Sequence, residues 1–383
     1  MPVPLPTTEH VVLTPPDAAE AEIDTRGILG AVAPIGGITD VQRMLIEAIV
    51  PAMTGHAVDT NVLEPMSARA LAEAMARRDL AYRTRVLQIM VLCAFVLRPL
   101  PAEVVARLEE FAHELGVDEG MIAVARRFAA GSLGLAAVDF ERNGYTSTWH
   151  ADDAHELHTS QELQSAWETA VHDSQLASRW TALAELPEGT LGRRVSQLYQ
   201  ARGFVVPGVL GSAPPLLAQH DWVHVLADYG TTVESELEVF AFIARANDDM
   251  RAFSLLAMVV SLFETGYLRT GAGLFEADTG HLSVGRNMAL RVADAMRRGA
   301  LCRDIVSGAA SIDYLRLDWF DLAALPLNEV RARFSVAPKS AAAIAAGAVG
   351  PFDAGGISPF QLRSGRAAAA RDGRAYDAFG AES

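Results

Sequence analysis

Apolar residues recur at the spacing of an α-helix over most of this chain, and this periodicity constrains the fold more than any other feature. At positions 41–49 the apolar residues follow a helical pattern, Thr39 stands where it can cap the helix, and Gln42 completes a capping box. No alternating pattern is long enough to indicate a β-sheet. The sequence therefore predicts an all-α fold.

The same pattern predicts further helices in the N-terminal part of the chain. Ser67 can cap a helix, Pro101 suits a first helical turn, and Gly116 suits the left-handed position that ends a helix. The predicted helices cover 67–78, 80–97 and 101–116, with another that begins at about Asp118.

The length of the chain and the loss of periodicity at its ends predict two helical domains with flexible termini. A chain of 383 residues, 50% of them hydrophobic, can bury a full core and is long for one domain. Neither the proline-rich start nor the alanine- and glycine-rich end has a periodic apolar face. We predict a flexible lead at 1–29, a small helical domain at 30–140, a polar connector at 141–185, a second helical domain at 186–336 and a disordered tail at 337–383.

The charge of the chain limits the classes of molecule that it can bind, and its cysteine content indicates a cellular compartment. The net charge is −15 and no basic stripe exists, so we predict no nucleic-acid partner. We expect no secretion signal, and the longest apolar run, 86–97, is shorter than the roughly 20 residues that span a bilayer. Cys93 and Cys302 show no paired spacing, which fits a reducing cytoplasm. Basic residues are arginine except Lys339, a bias typical of a GC-rich bacterial coding sequence.

Histidines and acidic residues cluster first at His150, His155 and His158. The composition allows a metal site, but no flanking apolar periodicity would hold such ligands rigid. We interpret this segment as a solvated linker.

A second cluster, His220-Asp221-x-x-His224, lies within a strongly apolar helical segment. Two histidines four residues apart lie on one face of a helix, about 6 Å apart along its axis, so both rings can reach one ion. Apolar neighbours cover the other faces. The spacing is consistent with a metal site, although histidines at this spacing are at least as often packed or surface residues.

The residues after this cluster predict a helical hairpin that adds a fourth ligand. Gly230 suits the end of the first helix, and Thr231 or Thr232 can cap a second helix that contains Glu236. His224 and Glu236 lie six residues either side of Gly230, so antiparallel helices bring them level. The predicted fold is a helical bundle with a central metal-bearing hairpin.

Imidazole and carboxylate ligands suit zinc, iron, manganese or cobalt, and the spacing does not select among them. Asp221 has an alternative role, which is to orient a histidine rather than to bind the ion. The His220-Asp221 pair also resembles that of HD phosphohydrolases, but the further histidine and aspartate of those enzymes are not identifiable. Motifs for serine hydrolases, phosphate-binding loops and His-Glu-x-x-His metalloproteases are absent from the sequence.

The complete spacing, His220-Asp221-x-x-His224 followed by eleven residues and Glu236, resembles the signature of the fourth coenzyme Q biosynthesis protein family. The resemblance covers about 185–335 and leaves the N-terminal domain outside it. Ser235 departs from the family, which commonly has glycine there. The flanking matches are Leu186 to Gly192, Arg298-Gly299, Trp319, Pro326 and Glu329-Val330-Arg331.

This resemblance implies an all-helical protein in which His220, Asp221, His224 and Glu236 hold a divalent metal, with zinc favoured and magnesium also possible. It implies oxidative decarboxylation at ring carbon one of a prenylated hydroxybenzoate or a related prenylated metabolite during ubiquinone synthesis. The implied partners are a prenylated aromatic or isoprenoid ligand, other quinone-biosynthesis enzymes, further copies of the chain and the inner face of the membrane. Asp221 or Glu236 would serve as a base only when free of the ion, and Glu234 and Glu238 are weaker candidates.

Two alternatives remain open from the sequence. In the first, the chain is a non-catalytic scaffold that binds prenyl lipids. In the second, it has a related fold that has been reused for another prenylated metabolite. The apolar stripe after the hairpin suits core packing more than a lipid cavity. It comprises Phe240, Ile243, Leu255, Leu256, Val259, Val260 and Phe263.

Overall fold

The computed structural model describes residues 16–117, 120–129, 172–210, 212, 215–247, 256, 259, 260, 264, 280–283 and 285–382. These residues are helical or irregular and contain no β-strand, so the predicted all-α class is confirmed. No helix within these ranges is long and apolar enough to cross a membrane. The helices are α1 Ala18–Val32, α2 Asp40–Thr54, α3 Ala68–Ala74, α4 Leu80–Phe95, α5 Ala102–Leu115, α6 Gly120–Ala129, α7 Ser174–Ala182, α8 Leu191–Arg202, α9 Pro215–Ala227, α10 Val233–Ala246, α11 Arg286–Leu301, α12 Leu327–Arg333, α13 Ala341–Ala345 and α14 Pro359–Arg371.

Cap residues set the boundaries of the N-terminal helices largely as predicted. Thr39 and Gln42 form the expected capping box of α2, and Gly116 ends α5 in the left-handed conformation. Helix α3 is shorter than predicted and ends at Ala74. The reason is Asp79, whose extended backbone and side-chain acceptor start α4, so the chain must turn before it.

The prediction of a flexible lead through residue 29 is wrong for its described part, because α1 occupies Ala18–Val32 and packs into the core. An Asp17–Glu20 capping box starts this helix. Half of its eight buried residues are small (Ala21, Thr25, Gly27 and Ala31), and a Cβ on Gly30 would lie 2.0 Å from the Met66 carbonyl oxygen. Small residues carry little apolar signal in a sequence, yet they allow close packing.

The predicted disordered tail at 337–383 is likewise wrong, because it contains α13 and α14 and packs against α8. The buried guanidinium of Arg202 donates hydrogen bonds to the carbonyl oxygens of Pro351 and Gly356 at 2.8 and 2.9 Å. A Cβ on Gly365 would lie 2.0 Å from the Ala201 carbonyl oxygen. Contacts to backbone atoms hold this segment against the rest of the fold. Such contacts do not require a periodic pattern of apolar residues, so the sequence does not reveal them.

One continuous cluster of buried side chains runs from α1 to α12, across both predicted domains. Helix α11 packs against α10 and also against α2. The Arg85 guanidinium of α4 donates a 2.6 Å hydrogen bond to the Asn247 carbonyl oxygen after α10. The N-terminal helices therefore support the C-terminal ones directly.

Only the end of the predicted polar connector, residues 172–185, is described, and it is ordered. It forms α7 and a 3₁₀ turn, and Trp180 is buried. The segment with His150, His155 and His158 lies outside the described residues.

Close approach between α11 and α10 depends on Gly299, where a Cβ would lie 2.2 Å from the Phe242 carbonyl oxygen. We expect Gly299→Ala to lower the free energy of unfolding by about 1–3 kcal/mol, since the helices must separate to admit the methyl group. Urea denaturation measures this change. Asn287→Ala, at an exposed position of the same helix, serves as the control and should leave stability nearly unchanged. Equal stability of the two variants would contradict this account of the packing.

Candidate metal centre

Helices α9 and α10 follow one another and pack together, joined by residues 228–232. Thr232 caps α10 by accepting a hydrogen bond from the Ser235 amide, as predicted. Gly230 does not occupy the left-handed position that ends α9. Asp228 does, with φ of 65°, while Gly230 is needed because Gly356 approaches it too closely for a side chain.

The structure brings the four predicted ligands together. The Nε2 atom of His220 lies 3.5 Å from Oδ1 of Asp221 and 3.4 Å from Oε2 of Glu236. The Nε2 atom of His224 lies 3.2 Å from Oε1 of Glu236. Possible ligand atoms of His220, Asp221 and His224 all lie within 4.8 Å of one another. This buried group can hold a metal ion, with Glu236 beside it.

All four side chains are removed from solvent. The exposed fractions are 4% for His220, 6% for Asp221, 0% for His224 and 2% for Glu236. Neither ring nitrogen of His224 has a hydrogen-bond partner among the described residues, and Oε2 of Glu236 has none either. Buried polar atoms are normally paired, so these atoms need an explanation.

The two carboxyl groups respond differently to this environment. Burial alone would raise the pKa of the Glu236 carboxyl, but His224 and His220 outweigh burial and lower that pKa to about 2. At Asp221 burial prevails and raises the carboxyl pKa above its ordinary value, against the opposing influence of both histidines and Tyr199. Glu236 is therefore ionised at neutral pH and can act as an anionic ligand.

The contacts of Glu236 with the two histidines have the separation expected of atoms around one metal ion. Ligand atoms about 2.0–2.1 Å from a tetrahedral zinc ion lie roughly 3.4 Å from one another. The contacts of Glu236 with His220 and His224, at 3.4 and 3.2 Å, match that separation. Hydrogen bonds between charged groups would be shorter, at about 2.7–2.9 Å. The residues present can therefore hold a metal ion.

Two aromatic residues orient the predicted ligands. The Tyr199 hydroxyl on α8 donates a 2.5 Å hydrogen bond to Oδ2 of Asp221. The Phe240 ring stacks on the imidazole of His220, with 5.1 Å between ring centroids. Tyr199 is absent from the sequence prediction because it lies 22 residues before Asp221 on a separate helix, and no local pattern marks it.

The opposite face of α9 packs in an aromatic cluster. Trp222, located between the two histidines in sequence, stacks on Trp319 with 5.9 Å between ring centroids and also contacts Trp180 and Phe320. Because this indole is 1% exposed, rotation of α9 about its axis would pull it out of the core. The aromatic cluster therefore fixes which face of α9 meets α10.

Three cationic side chains hold the C-terminal end of α9. Arg331 donates to the carbonyl oxygens of residues 225 and 226 at 3.0 and 2.8 Å, and Arg298 donates to that of residue 227 at 2.8 Å. Lys339 donates to that of Asp228 at 2.6 Å. The last carbonyl groups of a helix lack partners within the helix and attract positive charge. Lys339 is the single lysine of the chain, and its rarity was the only sequence signal for its role.

The weaker candidates for a base are engaged elsewhere. Oε1 of Glu234 lies 2.9 Å from Nδ1 of His281, and Glu238 is fully buried and accepts a 2.7 Å hydrogen bond from Arg291. In the apolar stripe, Leu255 and Phe263 lie outside the described residues. The other members are buried in the core cluster, as core packing requires: Phe240, Ile243, Leu256, Val259 and Val260.

Comparison of the chain with protein-family models, curated proteins and solved structures found no match. The resemblance to the fourth coenzyme Q biosynthesis protein family therefore stays a prediction from the sequence.

The hydrogen bond from Tyr199 tests whether Asp221 is a ligand. We expect Tyr199→Phe to weaken metal binding about 10- to 100-fold, the usual effect of losing a partner that orients a ligand. Metal titration with a competing chelator measures the affinity. Tyr314→Phe, the same change at another buried tyrosine, is the control. Unchanged affinity in Tyr199→Phe would remove Asp221 from the set of ligands.

Proposed function

We propose that this chain binds one divalent metal ion through His220, His224 and Glu236, with Asp221 as a fourth ligand, and that zinc is the preferred ion. One observation carries the proposal. The Glu236 carboxylate lies between the two imidazoles at 3.4 and 3.2 Å, and buried atoms of both His224 and Glu236 have no hydrogen bond to the residues that the structure describes. A bound ion would satisfy them.

We further propose that the metal centre belongs to an enzyme that acts on a prenylated aromatic acid, by oxidative decarboxylation at ring carbon one of a prenylated hydroxybenzoate. The support for this substrate is the resemblance of the 185–335 segment to the coenzyme Q family. The motif residues Arg298 and Arg331 add support, because both hold the helix that carries the histidines.

A divalent ion in this centre would supply Lewis-acid polarisation of a carboxylate or phenolate oxygen. The protein's own residues orient and shield the site: Tyr199 fixes Asp221, Phe240 fixes the ring of His220, and burial excludes water. Replacement of a ring carboxyl by hydroxyl releases CO2 and removes two electrons. Because none of the four proposed ligands is redox-active, the reaction needs an external oxidant. With dioxygen as that oxidant, water supplies the hydroxyl oxygen, and dioxygen takes up the two electrons and two protons as hydrogen peroxide.

The complete burial of His224 favours a second candidate function, a non-catalytic scaffold that binds prenyl lipids. An ion held this deeply can stabilise the fold without meeting a substrate. Association with quinone-biosynthesis enzymes, with other copies of the chain and with the membrane surface belongs to both proposals.

Metal content tests the proposed ligands. We expect purified protein to retain about one equivalent of metal after dialysis, and His224→Ala and Glu236→Gln to lose it, because each removes one of few ligands. Elemental analysis by mass spectrometry measures the content. His113→Ala, which removes an exposed histidine on α5, is the control. Glu236→Gln keeps the side-chain volume, and circular dichroism verifies that each variant is folded. Retention of metal in both site variants would refute the assignment.

Labelled substrate separates the two functions. With the ring carboxyl carbon of a prenylated 4-hydroxybenzoate labelled with ¹³C, and with dioxygen present, the enzyme should release labelled CO2, and Glu236→Gln should not. The measurement is mass spectrometry of the gas phase. Binding of the labelled lipid without release of CO2, by protein that contains metal, would contradict the enzymatic proposal and support the scaffold.

A further inference from the structure

A second candidate site is a cleft that Tyr199 helps to line. Helices α7, α8 and α14, with the loops that follow them, border an open cleft of about 400 Å³. Small-molecule sites usually measure about 300–1,000 Å³, so this volume suffices for a small organic ligand. None of the four proposed metal ligands lines the cleft. Its lining includes Trp180, Tyr199, Gln200, Phe204, Arg371 and Arg374.

Aromatic rings form one wall of the cleft. Tyr199 packs on Trp180 and on Phe204, with 4.9 and 5.5 Å between ring centroids. Trp180 and Tyr199 are almost fully buried, each 4% exposed, and both belong to the lining of the cleft. A planar apolar group can pack against this wall.

Positive charge lines the cleft where α14 ends. Arg371 is exposed and makes no hydrogen bond or ion pair with any described residue. The neighbouring Arg374 has only long contacts, 3.5 Å to Asp372 and 3.4 Å to the Gln200 carbonyl oxygen. Two arginines and one aspartate give the cleft a net positive charge, in a chain of net charge −15. Guanidinium groups bind carboxylates with well-defined geometry.

We propose that this cleft binds a small aromatic carboxylate, whose ring packs against Trp180, Tyr199 and Phe204 and whose carboxylate pairs with Arg371 and Arg374. The site is independent of the proposed metal function, because it needs none of the metal ligands. Tyr199 nevertheless joins the two sites, since its ring lines the cleft and its hydroxyl holds Asp221. A ligand that packs against this ring therefore lies one side chain from the metal centre.

Calorimetric titration of the full chain with 2-naphthoate, and with the uncharged 2-naphthamide, tests the proposal. We expect naphthoate to bind at least tenfold more tightly than naphthamide. Arg371→Gln should weaken naphthoate binding about two- to fivefold, the loss expected for one exposed ion pair. Arg363→Gln is the matched control, because it removes the same charge from an exposed position of α14 that does not line the cleft.

A second pair of titrations, on His224→Ala and on metal-free wild type, distinguishes the cleft from the metal centre. Retained naphthoate binding in both supports the cleft site, even if the proposed ligands prove wrong. Binding that disappears with His224 or the metal but survives Arg371→Gln would place the probe at the metal centre and overturn the inference. The inference of an aromatic carboxylate site is also overturned if naphthoate fails to bind at millimolar concentration, or if naphthamide binds equally well.

Discussion

Burial of two imidazoles and two carboxyl groups in one small volume is the constraint around which the C-terminal helices are arranged. An ionised carboxylate loses several kcal/mol of hydration when it is buried, unless other charges or hydrogen bonds replace the water. Tyr199 partners Asp221, and the histidines flank Glu236, but His224 keeps both ring nitrogens without hydrogen bonds among the described residues. The protein side chains alone leave this cluster incompletely satisfied, and a cation would complete it.

Precise placement of these groups requires that α9 neither rotates nor slides. Rotation is resisted by Trp222, which lies in an aromatic cluster on the face opposite the histidines. Sliding is resisted at the C-terminal end, where Arg298, Arg331 and Lys339 bind successive carbonyl groups. The resemblance to a coenzyme Q family marks Trp319, Arg298 and Arg331 as well as the ligands. In this structure those residues position the helix that carries the histidines.

The sequence predicted the elements whose signals are local. Cap residues and a 3.6-residue period locate α2, α4 and α5, and the spacing of His224 and Glu236 about the turn predicted their contact. Interactions with backbone atoms could not be predicted in the same way. Helix α1 packs through small residues such as Gly30, and Arg202 holds the C-terminal segment through carbonyl groups. The hydrogen bond of Tyr199 joins separate helices, so no spacing rule reveals it.

X-ray absorption spectroscopy of the zinc-loaded protein tests the central claim most directly, because it reports the ligands around the ion. We predict a first shell of nitrogen and oxygen only, at about 2.0–2.1 Å, with the scattering pattern of two imidazoles. In His224→Ala the imidazole contribution should fall to at most one ring, or the ion should be lost. A shell of oxygen atoms without imidazole scattering, or a spectrum unchanged by His224→Ala, would show that the ion binds elsewhere and would contradict the account.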